Sequence, residues 1–465
     1  MGNKGFIALR GTKNMIRAVE GFFEVLVISV LYYFVWRFGY SRTEFPPYLG
    51  YGKYVLAGLY ALIVAILFHS FDSFQFGYLR LTEIVISQGI SLFIANVITY
   101  FQLSLIANHM ISPVPLLILL GIQMVVAIIL PYVYSAIYHR LYSAHRMIMV
   151  YGTNDSLSLK VKMESRPDKY RIQKLISADE GVEAICKQIV EYDSVIINDV
   201  PAKVRNDILK FCYQRGLRTY VSPKISDIIM GGGTEICLFD TPLMLVRGKG
   251  LTFSQAIIKR LMDIVISLVV TLIGLPFMLL VALAIKLEDG GPVFYKQERV
   301  TLNGKVFKIL KFRSMIVNAE KEGKSIPATT NDPRITKVGR IIRATRLDEL
   351  PQMLNILKGD MSFVGPRPER VEHVEKFSEE IPEFAFRTKV KGGLTGYAQI
   401  YGKYNTSAYD KLRLDLMYIE NYSVLLDIKL ILLTIRILFK KESTEGFDKV
   451  AKAPEVVAGS GKKED

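Results

Sequence analysis

Apolar residues gather into four long runs in the first third of the chain, near 20–38, 54–70, 84–107 and 113–137. Each is long enough to cross a hydrocarbon core of ~30 Å, which takes about 20 apolar residues in a helix. Charges are rare inside them. Glu24 lies near one end of the first run, where its position predicts a carboxyl reaching the membrane interface. From Met147 the pattern changes. Met147–Tyr151, Asp193–Ile197 and Leu217–Val221 are short apolar runs separated by helical stretches, an alternation that predicts a parallel α/β layer. A fifth long run, Ile264–Ile285, carries no charge. Val293–Met315 alternates on either side of Asn303-Gly304, a strong hairpin signal. Val338, Ile341 and Ile342 share one face of a stretch that also carries Lys337, Arg340 and Arg343, which predicts a helix facing a lipid surface or phosphates. Val424–Phe439 is apolar but interrupted by Asp427, Lys429 and Arg436, the pattern of an interfacial helix rather than a span.

Charge and composition turn these runs into a topology. Of 465 residues half are hydrophobic, and the net charge is +15. Such a length predicts two or three domains. In so apolar a chain, positive excess belongs to cytoplasmic loops and anionic lipid, and no nucleic-acid motif accompanies it. The first run is followed by others, so it reads as an anchor rather than a cleaved leader. Lys4, Arg10, Lys13 and Arg17 precede the first run; His139, Arg140, His145 and Arg146 follow the fourth. Four spans put both flanks on the cytoplasmic side. The fifth run is also basic at both ends, with Lys259 and Arg260 before it and Lys286, Lys296 and Arg299 after it. Gly274 and Pro276 interrupt it where proline removes a backbone hydrogen bond. Both features predict a broken, re-entrant helix near 257–286 that enters and leaves one leaflet. Cys186, Cys212 and Cys237 are scattered without a CxxC pair, which argues against a zinc site or a disulfide framework. A dinucleotide site after Tyr151 would want G-x-G-x-x-G; only Gly152 is present, with Asn154 and Ser156 beyond it, so the α/β layer reads as a Rossmann-like spacer. The expected architecture is a membrane protein of mixed α and α/β class. It has a four-helix transmembrane region (1–140), a Rossmann-like α/β domain (141–250), a monotopic catalytic domain with amphipathic surface helices (251–442), and a disordered tail (443–465).

The densest chemistry lies at 343–369. Asp348 and Glu349 are adjacent carboxylates, and Pro351 sets a helix start near 348, because proline fits a first turn. The positive end of a helix dipole favours ionised carboxylates there. An ionised aspartate can attack phosphorus, and a neighbouring carboxylate can hold Mg²⁺ together with substrate phosphates. In Gly365-Pro-Arg367-Pro the flanking prolines stiffen the backbone beneath an arginine, whose fork suits a phosphate. Taken alone, two acidic residues in a first turn are far more often ordinary helix stabilisers.

The run from Lys259 to Lys440 resembles the bacterial sugar transferase domain of the monotopic phosphoglycosyl transferases. The resemblance rests on Phe-Lys-Ile-Leu-Lys-Phe-Arg-Ser-Met (307–315), Leu-Asp-Glu-Leu-Pro-Gln (347–352), Lys-Gly-Asp-Met-Ser-Phe-Val-Gly-Pro-Arg-Pro (358–368) and Gly-Leu-Thr-Gly-Tyr-Ala-Gln (393–399). Four spans and an α/β spacer resemble the larger members, which initiate exopolysaccharide, capsule or O-antigen synthesis. The resemblance implies transfer of a sugar-1-phosphate from a UDP-sugar to undecaprenyl phosphate at the cytoplasmic face of the bacterial inner membrane, with release of UMP and with Mg²⁺ as cofactor. It implies that Asp348 is the nucleophile, Glu349 its partner, and both the metal site. Lys311, Arg343 and Arg367 match basic positions around the phosphates; Thr395, Gln399 and Asp415 fall in the region that touches donor or scaffold. Membrane lipids and a second copy of the chain are further expected partners. Two departures stand out. Leu275-Pro276 replaces the family's usual Ser-Pro at the break, and Lys391-Gly392-Gly393 replaces Arg-Pro-Gly. A non-catalytic scaffold in a polysaccharide assembly complex is the alternative, and it would have no need of the full set of motifs.

Overall fold

The computed structural model describes residues 3–40, 50–76, 78–141, 145–152, 157–248, 250–317, 319, 332–402 and 406–438. The side chains of Lys4, Arg10, Lys13, Arg17 and His139, the residues Asn154 and Ser156, and the tail from 443 lie outside it. The chain divides into two units, Met1–Ser222 and Pro223–Asp465.

The first unit opens with α1 (Asn3–Gly39), α2 (Gly52–Ser70), α3 (Leu81–Ala107) and α4 (Val114–Leu141). All four, with one helix of the second unit, are long and apolar enough to cross a membrane. They turn large apolar side chains outward, Phe22 and Leu105 among them, as helices in lipid do. Inside, three polar side chains satisfy one another. Tyr60 donates to Asn96 Oδ1 at 3.2 Å, Asn96 to Gln123 Oε1 at 2.9 Å, and Gln123 to the Tyr60 hydroxyl at 2.8 Å, closing a ring across three helices. Glu24 does not reach the interface as its sequence position suggested. It is 1% exposed, because it shares the four-residue spacing of Ile28, Tyr32 and Trp36 on the inward stripe of α1.

The α/β layer follows with β1 (His145–Tyr151), α5 (Leu157–Glu164), β2 (Tyr170–Ser177), α6 (Val182–Ile189), β3 (Ser194–Asn198), α7 (Ala202–Gln214) and β4 (Arg218–Val221). Its strands are all parallel, in the order β2-β1-β3-β4. The central strands β1 and β3 are the continuous apolar runs of the sequence; β2, at an edge, reads Tyr-Arg-Ile-Gln-Lys-Leu-Ile-Ser and gave no such signal. A Cβ on Gly152 would stand 2.0 Å from Asp199 O, so this glycine is required by the turn after β1 passing the end of β3.

The second unit begins with α8 (Ile225–Gly231) and an exposed hairpin of β5 (Thr234–Leu238) and β6 (Thr241–Leu245). Ile225 and Ile228 pack into the same core as Leu412 and Leu416, so residues after 222 belong with the second unit. α9 (Phe253–Asp289) carries the fifth apolar run. Thr252 caps it, accepting a hydrogen bond from Gln255 N. The helix is not interrupted at Gly274 or Pro276: it is continuous, with the proline inside, where one backbone bond is missing. One side of α9 packs on the unit, Val270 with Phe307, Met353 and Ile356, and Val281 and Ile285 with Phe312 and Ile342. Its other sides expose Leu272, Ile273, Leu279 and Leu280.

β7 (Phe294–Val300) and β8 (Val306–Phe312) form the hairpin expected at Asn303-Gly304, both of which adopt positive φ. Then come α10 (Lys337–Ala344), α11 (Gln352–Lys358), β9 (Ser362–Val364), α12 (Val371–Glu380), β10 (Gly393–Thr395), α13 (Tyr397–Tyr401), α14 (Ala408–Glu420) and α15 (Val424–Leu438). β9 and β10 pair in parallel. On α10 only part of the expected apolar face turns inward: Ile342 is buried and Val338 packs beside it, while Ile341 is 64% exposed. α15 is no purely interfacial helix. Asp427, Leu430 and Leu433 are fully buried, and Asp427 pairs with Lys259 of α9 at 2.6 Å.

Candidate active site

The site grows from the end of β8 and the turn before α11. Along β8, Phe307, Ile309 and Lys311 share one face. The first two are buried against Met353 and Ile356 of α11, which directs Lys311 toward the turn that precedes that helix. Asn355 fixes the pairing, accepting from Leu310 N and donating to Lys308 O, both at 2.9 Å. The turn itself, Leu347–Glu349, is a single 3-10 turn entered through Arg346 in the left-handed region (φ 58°). Pro351 (φ −61°) is the residue on which α11 starts. Asp348 and Glu349 therefore precede the helix instead of occupying its first turn, and α11 has only seven residues. What governs their ionisation is the side chains around them.

Glu349 Oε1 accepts from Lys311 Nζ at 2.8 Å and from Arg367 Nη2 at 2.9 Å. Burial opposes its ionisation, but the charges and hydrogen bonds of Lys311 and Arg367 overcome that and hold the carboxyl well below the ordinary glutamate range. Asp348 goes the other way. Burial pushes it up, and the charge of Glu349 adds to this against the pull of Lys311, Arg343 and Arg367. Among the described residues no side chain donates a hydrogen bond to Asp348. The pair is thus differentiated: one carboxylate is locked by two cations, while its neighbour lies in their field with its oxygens uncommitted.

Arg367 reaches the dyad from the loop after β9. Gly365 and Gly393 lie back to back there; a Cβ on Gly393 would stand 2.1 Å from Gly365 N. This close approach explains why the Lys391-Gly392-Gly393 segment carries a glycine at 393. Lys311, Arg343 and Arg367 are brought together around the two carboxylates. Thr395, Gln399 and Asp415 are not. The Thr395 hydroxyl lies 2.6 Å from that of Thr434, and Gln399 donates to Leu394 O at 3.2 Å. Asp415 is 1% exposed and pairs with Arg387 at 2.8 Å. The contacts of three groups of residues escaped the sequence reading. Arg299, Glu369 and Arg387 pack behind the Pro-Arg-Pro loop. Asp263 accepts from the Ser362 hydroxyl at 2.9 Å and from Phe363 N at 2.8 Å, tying α9 to β9. Lys259, Tyr418 and Asp427 tie α9 to α14 and α15. The one available signal was charge at the edge of or inside apolar runs, at Asp263 and Asp427.

Among the described residues no three His, Cys, Asp or Glu side chains gather as a ready-made metal cage. Two adjacent carboxylates with an uncommitted Asp348 fit a different kind of ion. Mg²⁺ takes one or two carboxylates and completes its shell with water and substrate phosphates. The arrangement can bind a diphosphate through Lys311, Arg343 and Arg367 and present a carboxylate oxygen to phosphorus.

The chain is similar to proteins named for sugar-phosphate transfer to undecaprenyl phosphate. The family described as Bacterial sugar transferase matches residues 254–441. A UDP-glucose:undecaprenyl-phosphate glucose-1-phosphate transferase of Klebsiella pneumoniae is 39% identical over 248 residues, 52% of this chain and 51% of the relative. A UDP-N-acetylgalactosamine-undecaprenyl-phosphate N-acetylgalactosaminephosphotransferase of Aeromonas hydrophila is 45% identical over 184 residues, 39% of this chain and 43% of the relative. A UDP-glucose:undecaprenyl-phosphate glucose-1-phosphate transferase of Caulobacter vibrioides is 43% identical over 183 residues, 38% of this chain and 68% of the relative. The match thus spans about half the length, or less, of the first two relatives.

Proposed function

Because this chain belongs to the bacterial sugar transferase family, we propose that it transfers a sugar-1-phosphate from a UDP-sugar to undecaprenyl phosphate through a covalent intermediate on Asp348. The observation that carries this reading is the division of labour in the dyad: Lys311 and Arg367 both hold Glu349, leaving Asp348 half-buried, uncommitted and within the field of three cations.

In the first step an Asp348 carboxylate oxygen attacks the phosphorus that bears the sugar. The P–O bond to the uridylyl group breaks, and UMP leaves with the electron pair. In the second step a phosphate oxygen of undecaprenyl phosphate attacks the same phosphorus, forming the lipid diphosphate sugar and returning Asp348 as a carboxylate. Lys311, Arg343 and Arg367 bind the donor phosphates and stabilise charge that develops on the leaving oxygen. Glu349 keeps Lys311 and Arg367 in place. Mg²⁺, held by Asp348 or Glu349 with donor phosphates, would neutralise diphosphate charge. Thr395 and Gln399 support the β10 segment, and Asp415 acts from behind Arg387.

Several features support a cytoplasmic membrane-surface location. The apolar outer sides of α9, the relatives' lipid acceptor and the basic flanks of the apolar runs all favour α1–α4 as four spans and α9 as a re-entrant helix bent at Pro276. The parallel sheet that follows α4 in the chain then acts as a Rossmann-like spacer, and the product would feed exopolysaccharide, capsule or O-antigen assembly.

The test is Asp348→Asn in purified membranes supplied with a panel of UDP-sugars and undecaprenyl phosphate. The expected loss of UMP release is at least ~1,000-fold, as for removal of a covalent nucleophile. UMP release at the wild-type rate would overturn the reading, and a wild-type chain inert toward every donor would favour the scaffold alternative.

A further inference from the structure

The loop that carries Arg367 cannot hold itself. Pro366 and Pro368 have no N–H, so the segment has few donors with which to close a turn of its own. Its four successive carbonyls are met from outside. Gly393 N donates to Pro366 O at 2.8 Å, Arg387 Nη2 to Arg367 O at 2.9 Å, Arg299 Nη1 to Pro368 O at 3.1 Å, and Val300 N to Glu369 O at 3.0 Å. Two of these donors are arginine side chains from separate segments: Arg299 near the end of β7, and Arg387 from the 3-10 stretch Pro382–Lys389.

Buried guanidinium groups need counter-charges. Arg387, 5% exposed, lies 2.8 Å from Asp415 Oδ2 and 3.7 Å from Glu369 Oε1. Arg299 Nη1 lies 3.9 Å from Glu369 Oε2, and His373 Nδ1 is also 3.9 Å from that oxygen. Glu369 is thus flanked by both arginines, and Asp415 backs one of them. Well-packed apolar residues would fill such a space at no loss of stability. An array of charges aimed at backbone carbonyls does something packing cannot: it fixes where those carbonyls sit.

We propose that Arg299, Arg387, Glu369 and Asp415 are positioning residues, a buried charge network that holds the backbone of 366–369 from behind and thereby sets where the Arg367 guanidinium meets Glu349 and the donor phosphates. This rests on the reading of Arg367 as a phosphate-binding group. Asp415, which the sequence placed among donor-binding residues, acts two steps away, through Arg387 and then the Arg367 backbone. The Arg367 side chain is 41% exposed and, among the described residues, makes one hydrogen bond to the dyad, so its placement depends on the loop beneath it.

The experiment is a double-mutant cycle on the full chain in lipid nanodiscs. Asp415→Asn and Arg387→Lys are each made alone and with Arg367→Met, reading donor kcat/KM and the Kd for UDP. With Arg367 present each is expected to lower donor kcat/KM by roughly tenfold to a hundredfold, the scale of an ångström-sized misplacement. Lysine in place of Arg387 keeps the charge but loses the fork that serves a carbonyl and a carboxylate together. With Arg367→Met already present, either change is expected to cost less than about threefold, because residues acting through one another are not additive. Equal costs in both backgrounds would overturn the network and mark these residues as purely structural, as would no cost in either. Glu369→Gln is the second probe should Arg387→Lys fail to elute as a folded species. If the wild-type chain transfers no sugar phosphate, the transferase reading fails, and the same cycle is judged on UDP affinity alone. If the wild-type chain binds no UDP either, the phosphate-binding role of Arg367 fails and the inference with it.

Discussion

An ionised Asp415 is costly where it sits. Burial pushes its carboxyl up to about 6; Arg387 pulls against this, Glu369 pushes with it, and Lys411 opposes from farther off. The folded-state value exceeds the ordinary 3.8, so the folded protein binds the proton more tightly than the unfolded chain does. This contribution to stability is complete below about pH 4 and is lost as pH rises through about 6, by about 3 kcal/mol at ~1.4 kcal/mol per unit. Asparagine cannot ionise. Relative to wild type, Asp415→Asn is therefore expected to gain stability between pH 4.5 and pH 7.5 while losing activity. Apparent Tm values in detergent at the two pH values check this, and a variant-to-wild-type difference that does not move with pH would refute it. The same residue shows the limit of reading a site from linear motifs. Asp348, Glu349, Lys311 and Arg367 were legible because short ordered motifs fix residue types at fixed spacing. Asp415 was legible as a candidate but not in its pairing, because its partner Arg387 comes from a segment with no motif of its own.

At the scale of elements, α9 is held to the second unit by buried charge as well as by apolar packing. Lys259 donates to Asp427 at 2.6 Å and to the Tyr418 hydroxyl at 3.1 Å, while Tyr418 donates to the other Asp427 oxygen at 2.8 Å. A pair this buried is fragile to the loss of one partner and tolerant of losing both. Lys259→Met alone, which strands Asp427 where it is fully buried, is expected to cost about 3–5 kcal/mol. Lys259→Met with Asp427→Leu should recover most of it, as apparent Tm would show. A double variant no better than the single one would mean that the ion pair is needed for the packing of α9 against α15. In the sequence, Asp427 argued for a surface helix, because a charge in an apolar run normally seeks water. Its counter-charge is 168 positions away in the chain, beyond the reach of any local pattern. The β7–β8 hairpin was legible for the opposite reason: the two residues of its turn dictate the backbone by themselves. β2 was not, since Arg171, Gln173 and Lys174 interrupt its apolar residues.

At the scale of the whole molecule, the open choice is whether α9 crosses the bilayer. Its composition is that of a span, and the helix runs unbroken through Pro276. Its packing argues otherwise. Arg260 donates to Ile356 O and Leu357 O at the end of α11, both at 2.6 Å, and Ile285 packs on Phe312 and Ile342. Between them Leu350 covers Gly274, 3.7 Å from where a Cβ would sit. Leu350 adjoins Glu349, so a spanning α9 would carry the dyad, Lys311 and Arg367 beside its midpoint, at the depth where charge is most costly. A helix bent at Pro276 lets its apolar sides enter one leaflet while these charges stay at the surface. In a chain with Cys186, Cys212 and Cys237 replaced, Ser254→Cys and Lys305→Cys lie before and after α9, and Tyr51→Cys marks the loop between α1 and α2. A membrane-impermeant maleimide is expected to label the first two only in inside-out vesicles and the third only in right-side-out vesicles. Labelling of Lys305→Cys from the outside would make α9 a fifth span and put the dyad on the wrong face for a cytoplasmic UDP-sugar. Labelling of both α9 flanks from the outside would keep the re-entrant helix and reverse the orientation of α1–α4 instead.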